Sequence, residues 1–232
     1  MKPLAIIPAR GGSKRIFRKN IKKINGTPAL SIQITNLLEM SIFENVIVST
    51  DDYEIASISK ESGATVAIRN KKELSDDFTP SEDVVRDLIF QNQLDKSLQP
   101  IFCIYPLALL LGESELIKAL EIHEKFSNNF VISAGIVEPS PLRHTFTLKN
   151  ESIKILFPEN NIKRSQDLEV TYFDAGMFYL ATGKIWVDKS KYWYENNSKL
   201  VVISKEDAID VDTLEDFTRL EKRFIEKHRG SI

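Results

Sequence analysis

The sequence predicts an α/β fold built on an open, mostly parallel sheet with helices on both faces. Two observations carry that expectation. Short apolar runs bounded by turn residues alternate with amphipathic stretches, the signature of repeated βα units. The runs are continuously apolar, as strands covered on both faces must be. The chain of 232 residues is 42% hydrophobic and 28% charged, enough to build one sizeable domain around a full core.

The first strand is expected at residues 4–7, "LAII". After a cationic loop, "TPALSIQITNLLEM" reads as a helix with Thr27 as N-cap and Pro28 at its first position. Leu30, Ile34, Leu37 and Leu38 fall on one face of it. "NVIVST" is a second strand, followed by Asp51 and Asp52 opening a helix over 53–62 that Gly63 closes. "ATVAI" is a third strand. "TPSEDVVRDLIF" begins another helix, with Thr79 as cap and Glu82 completing a capping box. "PIFCIYP" and "FVISAGIV" are the fourth and fifth strands, separated by a helix over 113–126.

The pattern changes over about 139–186. "HTFTLKNESIKILF" reads as a hairpin turning at Asn150, "NNIKRSQDLEV" as a polar loop and "AGMFYLA" as a strand. This stretch is expected to be an insertion or arm on a single domain spanning 1–232. "KLVVIS" and a helix over 213–227 complete the layer.

A formal net charge of −2 gives no overall basic field, so neither nucleic acid nor a membrane surface is expected as a partner. Cys103 is the only cysteine, which excludes an intrachain disulfide and a cysteine-rich metal site. Cys103 itself lies in an apolar strand and reads as a buried small hydrophobe. No apolar run approaches the roughly 18 residues that span a bilayer, and a cytoplasmic location is expected.

Anion binding must then be local, and the densest candidate follows the first strand. "ARGGSKRIFRKN" puts Arg10, Gly11, Gly12, Ser13, Lys14, Arg15, Arg18, Lys19 and Asn20 at the carboxyl end of that strand, where open sheets bind ligands. Paired glycines let backbone amides approach a phosphate, and the cations would neutralise it. The spacing matches neither a P-loop nor a dinucleotide fingerprint. A solvated basic turn is the other reading.

Near the C-terminus, "AIDVDTLED" places Asp210 and Asp212 on one face of an extended segment, a hard-oxygen pair suited to Mg²⁺. Asp212 also starts a capping box with Glu215, and by itself that role is favoured. His123, His144 and His228 have no partners at zinc-ligand spacing.

In order along the chain, "IPARGGSKRIFRKNI", "IVSTDDYEIA", "RNKKELSDD", "SPLRHTF", "RSQDLEVTYFDAGMFYLA" and "DVDTLEDF" resemble the acylneuraminate cytidylyltransferase family. Within it, "RSQDLE" before "YFDAGMFY" is most similar to the pseudaminic acid cytidylyltransferases. The resemblance implies a Rossmann-like sheet of the nucleotide-diphospho-sugar transferase type, with a small β-rich dimerisation arm. It implies transfer of CMP from CTP to the anomeric hydroxyl of a nine-carbon 2-keto sugar acid, with release of pyrophosphate. N-acetylneuraminic or legionaminic acid as acceptor, or a binding protein without catalysis, are the alternatives.

The residue roles that follow are also implied by that resemblance. Arg10, Gly11, Gly12, Ser13, Lys14, Lys19, Asn20, Arg69 and Ser81 would hold the nucleotide. Tyr105, Arg143, Arg164, Gln166 and Asp174 would face the sugar. Asp210 and Asp212 would bind Mg²⁺, and Arg10, Lys14, Lys19 and Asp210 would carry catalysis. The chain would be a homodimer whose arms help close the neighbour's site. It departs from the family pattern after the fourth strand, where Leu107 and Leu109 replace a threonine and a proline.

Overall fold

The first apolar run forms strand β1 (Leu4–Pro8). In the computed structural model, which describes residues 1–69, 74 and 79–228, its side chains point alternately into two cores. Ala5 and Ile7 pack with Leu30, Ile34 and Leu37 of helix α1 (Ala29–Glu39), while Leu4 and Ile6 face the opposite way. A small hairpin, β2 (Lys23–Ile24) and β3 (Thr27–Pro28), leads into α1. The units β4 (Asn45–Thr50), α2 (Tyr53–Glu61), β5 (Thr65–Ile68), α3 (Ser81–Gln91) and β6 (Pro100–Ile104) follow. Then come α4 (Glu113–Lys125), β7 (Val131–Ile136), the hairpin β8 (Phe146–Lys149) and β9 (Ser152–Ile155), β10 (Tyr172–Thr182), α5 (Gly183–Val187), β11 (Lys199–Val202) and α6 (Leu214–Lys227).

Seven strands form one sheet in the order β11-β7-β10-β6-β1-β4-β5. The β1/β4, β1/β6, β4/β5 and β7/β11 pairs are parallel, and β10 lies antiparallel between β6 and β7. Helices cover both faces. α1, α4 and α6 contribute to one core, while α3 and α5 bury Val85, Leu88, Ile89 and Trp186 in the other. Burial on both sides explains why the strands read as unbroken apolar runs.

β10 corrects the expected boundaries of the arm. Residues 172–187 belong to the main sheet and its covering helix, because Met177 to Ala181 are buried and need cover on both faces. What projects is the stretch before them. The β8/β9 hairpin turns through Asn150 and Glu151, both at positive φ (49° and 61°), as a tight right-twisted turn requires. All eight strand residues of that hairpin are exposed.

Three helix starts differ from the sequence reading. Thr27 pairs with Ile24 in a strand, and Pro28 is extended (ψ 133°), so α1 begins one residue later than expected. Pro80 is likewise extended and, as the residue at the N-cap of α3, makes no side-chain cap. The Glu82 carboxylate, expected in a capping box, instead accepts the Trp193 indole N–H at 2.6 Å. At α6 the capping box is Thr213 with Asp216, which leaves Asp212 free of that duty. Asp52 does cap α2, accepting the Ile55 amide at 3.0 Å.

Candidate active site

The loop after β1 is folded against the end of β4 by its own charges. Arg18, in the left-handed region (φ 53°), donates two hydrogen bonds to Asp52, at 2.7 and 3.1 Å. Burial opposes ionisation of Asp52, but the Arg18 guanidinium and the Ile55 amide outweigh it and hold the carboxyl below its ordinary range. Gly11 sits against this pair. A Cβ there would lie 2.5 Å from Asp52 Oδ2 and 2.9 Å from its Cβ, so only glycine fits. The Gly11 N–H donates to Asp51 Oδ1 at 3.0 Å, so this amide of the expected anion nest is already engaged. Buried Asn20 donates to the Arg10 carbonyl at 3.0 Å and fixes the loop's near end.

From there the loop reaches the segment between β11 and α6. Lys19 Nζ donates to the Val211 carbonyl at 2.7 Å, and Arg15 pairs with Asp212 at 2.8 Å. Burial lowers the Lys19 pKa, with Asp210 and Asp212 pulling the other way. Burial raises the Asp210 pKa, and the neighbouring charge of Asp212 raises it further. Two carboxylates held close, with cations beside them, form one pole of the site.

Between loop and carboxylates lies a cavity of about 240 Å³. Of the residues named from sequence, Arg10, Ser13, Lys14, Lys19, Asn20, Arg69, Ser81, Tyr105, Asp210 and Asp212 line it together. Arg69 is the most telling of them. Its side chain is only 6% exposed, Nη1 donates to the Leu74 carbonyl at 2.8 Å, and Nη2 stands 3.7 Å from Asp51. Its Nε and Nη2 have no hydrogen-bond acceptor among the described residues, and burial lowers its pKa. Buried guanidinium donors without acceptors suit an anionic ligand.

The remaining named residues stand outside that lining. Gly11 and Gly12 lie in the loop but off the cavity wall. Arg143 donates to Ser165 at 3.3 Å, Arg164 pairs with Asp167 at 2.8 Å, and Gln166 is exposed; all three belong to the arm. Asp174 lies in β10 and bonds within the chain. The stretches 70–73 and 75–78, which hold most of the "RNKKELSDD" motif, lie outside the described residues.

Sequence reasoning passed over Tyr179, Trp193 and Gly176. The Tyr105 hydroxyl lies beside Ser81 and Tyr179, and burial pushes its pKa well up. Tyr179 in turn packs on Trp193, ring centroids 5.0 Å apart. Of the two leucines that depart from the family pattern, Leu107 lines the cavity, whereas Leu109 is buried in the core. Only Leu107 shapes this wall.

The donor set at the carboxylate pole fits a hard divalent cation. Among the described residues no group of three or more His, Cys, Asp or Glu gathers as a complete protein cage. Asp210 and Asp212 alone would leave most positions to water and phosphate oxygens, which is how Mg²⁺ is usually held beside a nucleotide.

Comparison with known proteins assigns the chain to a family. The family model described as "Cytidylyltransferase" matches residues 4–222. The chain is 38% identical over 221 residues to a pseudaminic acid cytidylyltransferase of Campylobacter jejuni, covering 93% of both chains. It is 29% identical over 232 residues to a CMP-N,N'-diacetyllegionaminic acid synthase of Legionella pneumophila, covering 96% of both. Among solved structures, a CMP:2-keto-3-deoxy-manno-octonic acid synthetase in complex with CTP superposes with a TM-score of 0.70 at 13% identity, over 98% of this chain and 100% of that one. That superposition speaks for the fold; the family model and the near full-length relatives establish that this chain belongs to the cytidylyltransferase family.

Proposed function

We propose that the chain transfers CMP from CTP to the anomeric hydroxyl of pseudaminic acid, a nine-carbon 2-keto sugar acid, and releases pyrophosphate. The observation that carries this reading is the cavity itself, with Arg10, Lys14, Lys19 and Arg69, whose Nε and Nη2 lack an acceptor among the described residues, at one side and Asp210 with Asp212 at the other. Such a reaction asks mainly for in-line positioning and neutralisation of phosphate charge. Arg10, Lys14 and Lys19 would offset charge growing on the departing pyrophosphate, and Arg69 and Ser81 would orient the nucleotide. Asp210 and Asp212 would hold Mg²⁺, which when bound supplies Lewis-acid stabilisation of phosphate oxygens and of the attacking hydroxyl. Asp210 is also the proposed general base for the hydroxyl proton, acting through a water.

Pseudaminic acid is favoured over its congeners by the 38% identity to the Campylobacter enzyme of that name. The test is pyrophosphate release by purified protein with CTP, Mg²⁺ and one acceptor at a time. Turnover with pseudaminic acid is expected to exceed that with legionaminic or N-acetylneuraminic acid by at least about tenfold in kcat/KM. Nucleotide binding with no pyrophosphate from any of the three would overturn the assignment.

The same reading makes the protein a homodimer. Arg143, Arg164 and Gln166 lie off their own chain's cavity, and the arm carries exposed Leu148 (74%) and Ile153 (60%) on a hairpin too small to be stable by itself. Each arm would lend those polar residues to the neighbour's sugar site. Leu148→Glu with Ile153→Glu is expected to give a monomer by light scattering, with a raised KM for the sugar acid. A cytoplasmic setting suits a chain whose single cysteine is free and buried. No described helix is long and apolar enough to cross a membrane.

A further inference from the structure

β10 does not run evenly along its neighbour. Asp174 pairs with Ala134 and Tyr179 with Ile132, so five steps on β10 answer two on β7. The surplus residues form a bulge. Ser133 fills one side of it, its hydroxyl accepting the Met177 and Phe178 amides at 3.1 and 3.0 Å. Asp174 closes the other side. Its Oδ1 accepts the Gly176 N–H at 3.0 Å, and its Oδ2 accepts the Tyr179 O–H at 2.5 Å.

Gly176 thereby takes a left-handed conformation (φ +59°) directly against the metal pole. A Cβ placed on it would stand 3.5 Å from the Asp210 carboxylate. Tyr179 is held in turn by ring contacts to Tyr105 (5.7 Å) and Trp193 (5.0 Å), and Trp193 is tied to Glu82 on α3. One hydrogen-bonded pair therefore links the bulge, the aromatic wall and the part of the cavity lining where Gly176 neighbours Asp210.

We propose that Asp174 and Tyr179 act as one positioning pair, which locks the β10 bulge so that Gly176 seats Asp210 at the cation end of the cavity. On this proposal Asp174 serves the metal end and not the sugar, each of its oxygens accepting a hydrogen bond from within the bulge. The inference rests on the reading of Asp210 as a Mg²⁺ ligand. It asks nothing of the acceptor's identity.

The test compares Tyr179→Phe, Asp174→Asn and the double variant in the full-length protein. Tyr179→Phe keeps the ring contacts and removes only the donor. In Asp174→Asn an amide N–H faces the phenol in place of an accepting oxygen. Mn²⁺ binding to the CTP-loaded protein, followed by electron paramagnetic resonance, gives a readout that needs no turnover. Each single variant is expected to weaken Mn²⁺ about tenfold, in the range seen when groups supporting a metal ligand are lost. kcat should fall comparably, with the KM for the sugar acid within about twofold of wild type. The double variant should be no worse than the worse single, since one interaction is being removed twice.

A tenfold rise in sugar KM with Mn²⁺ affinity intact would overturn the proposal and return Asp174 to the sugar. So would effects that multiply in the double variant, or a Tyr179→Phe protein indistinguishable from wild type. An Asp210→Asn protein that binds Mn²⁺ as tightly as wild type would instead sink the reading of Asp210, and this inference with it.

Discussion

Asp210→Asn is expected to lower kcat for pyrophosphate release by about 10²–10³-fold, the cost of removing a preorganised electrostatic contact from a phosphoryl-transfer site. Its fold should survive intact. Asp210 caps no helix, and the α6 start is secured by Thr213 and Asp216 instead. Burial and the charge of Asp212 raise the Asp210 pKa in the folded chain. A carboxyl whose folded pKa lies above its unfolded value contributes stability at low pH and loses it as pH rises through the folded pKa. At pH 7 the ionised group therefore opposes folding, and asparagine relieves that opposition. The variant should combine lost turnover with a Tm at pH 7 that is equal to or above wild type. Circular dichroism melts beside a coupled pyrophosphate assay check both halves. A variant that is inactive because it unfolds would contradict this explanation.

Lys19→Ala is the second large effect, and its signature is different. Lys19 reaches across the cavity to the Val211 carbonyl at 2.7 Å and faces both aspartates. Its loss removes a cation proposed to face the leaving pyrophosphate and also leaves Asp210 and Asp212 less well balanced. kcat is expected to fall about a hundredfold. The lost hydrogen bond to Val211 is worth about 1.5–3 kcal/mol for a charged donor. Relief of the burial cost that lowers the Lys19 pKa partly offsets it, so stability should fall by about 1 kcal/mol. Lys19→Arg should rescue poorly, because a planar guanidinium cannot replace a compact ammonium in this half-buried position. Steady-state kinetics with denaturant melts on the two variants separate this pattern from that of Asp210→Asn.

Much of this site could be read from sequence because strand ends announce themselves. The apolar runs of β1, β4, β6 and β7 are unbroken, and the glycines and cations after β1 fall where such sheets gather ligands. The place of β10 was not legible. A run such as "GMFYLA" looks the same at a sheet's centre as in an arm, and its partners are distant in sequence. Helix caps failed where Thr precedes Pro, since an extended Pro28 or Pro80 shifts the first turn by a residue. Two overlapping capping boxes, from Asp212 or from Thr213, cannot be separated by spacing. The structure separates them because Asp212 turns to Arg15. Tyr179 was hidden for another reason. A bulge breaks the two-residue alternation, so no periodicity links it to an acid five positions earlier.

The most direct measurement is a crystal structure of the protein with CTP and Mn²⁺ bound, the metal located by its anomalous scattering. The expected result is an ion coordinated by oxygens of Asp210 and Asp212 at about 2.1–2.2 Å, near the Mg²⁺ value. The nucleotide's phosphates should lie against Arg10, Lys14 and Lys19. A nucleotide seated elsewhere, or a metal touching neither carboxylate, would contradict it.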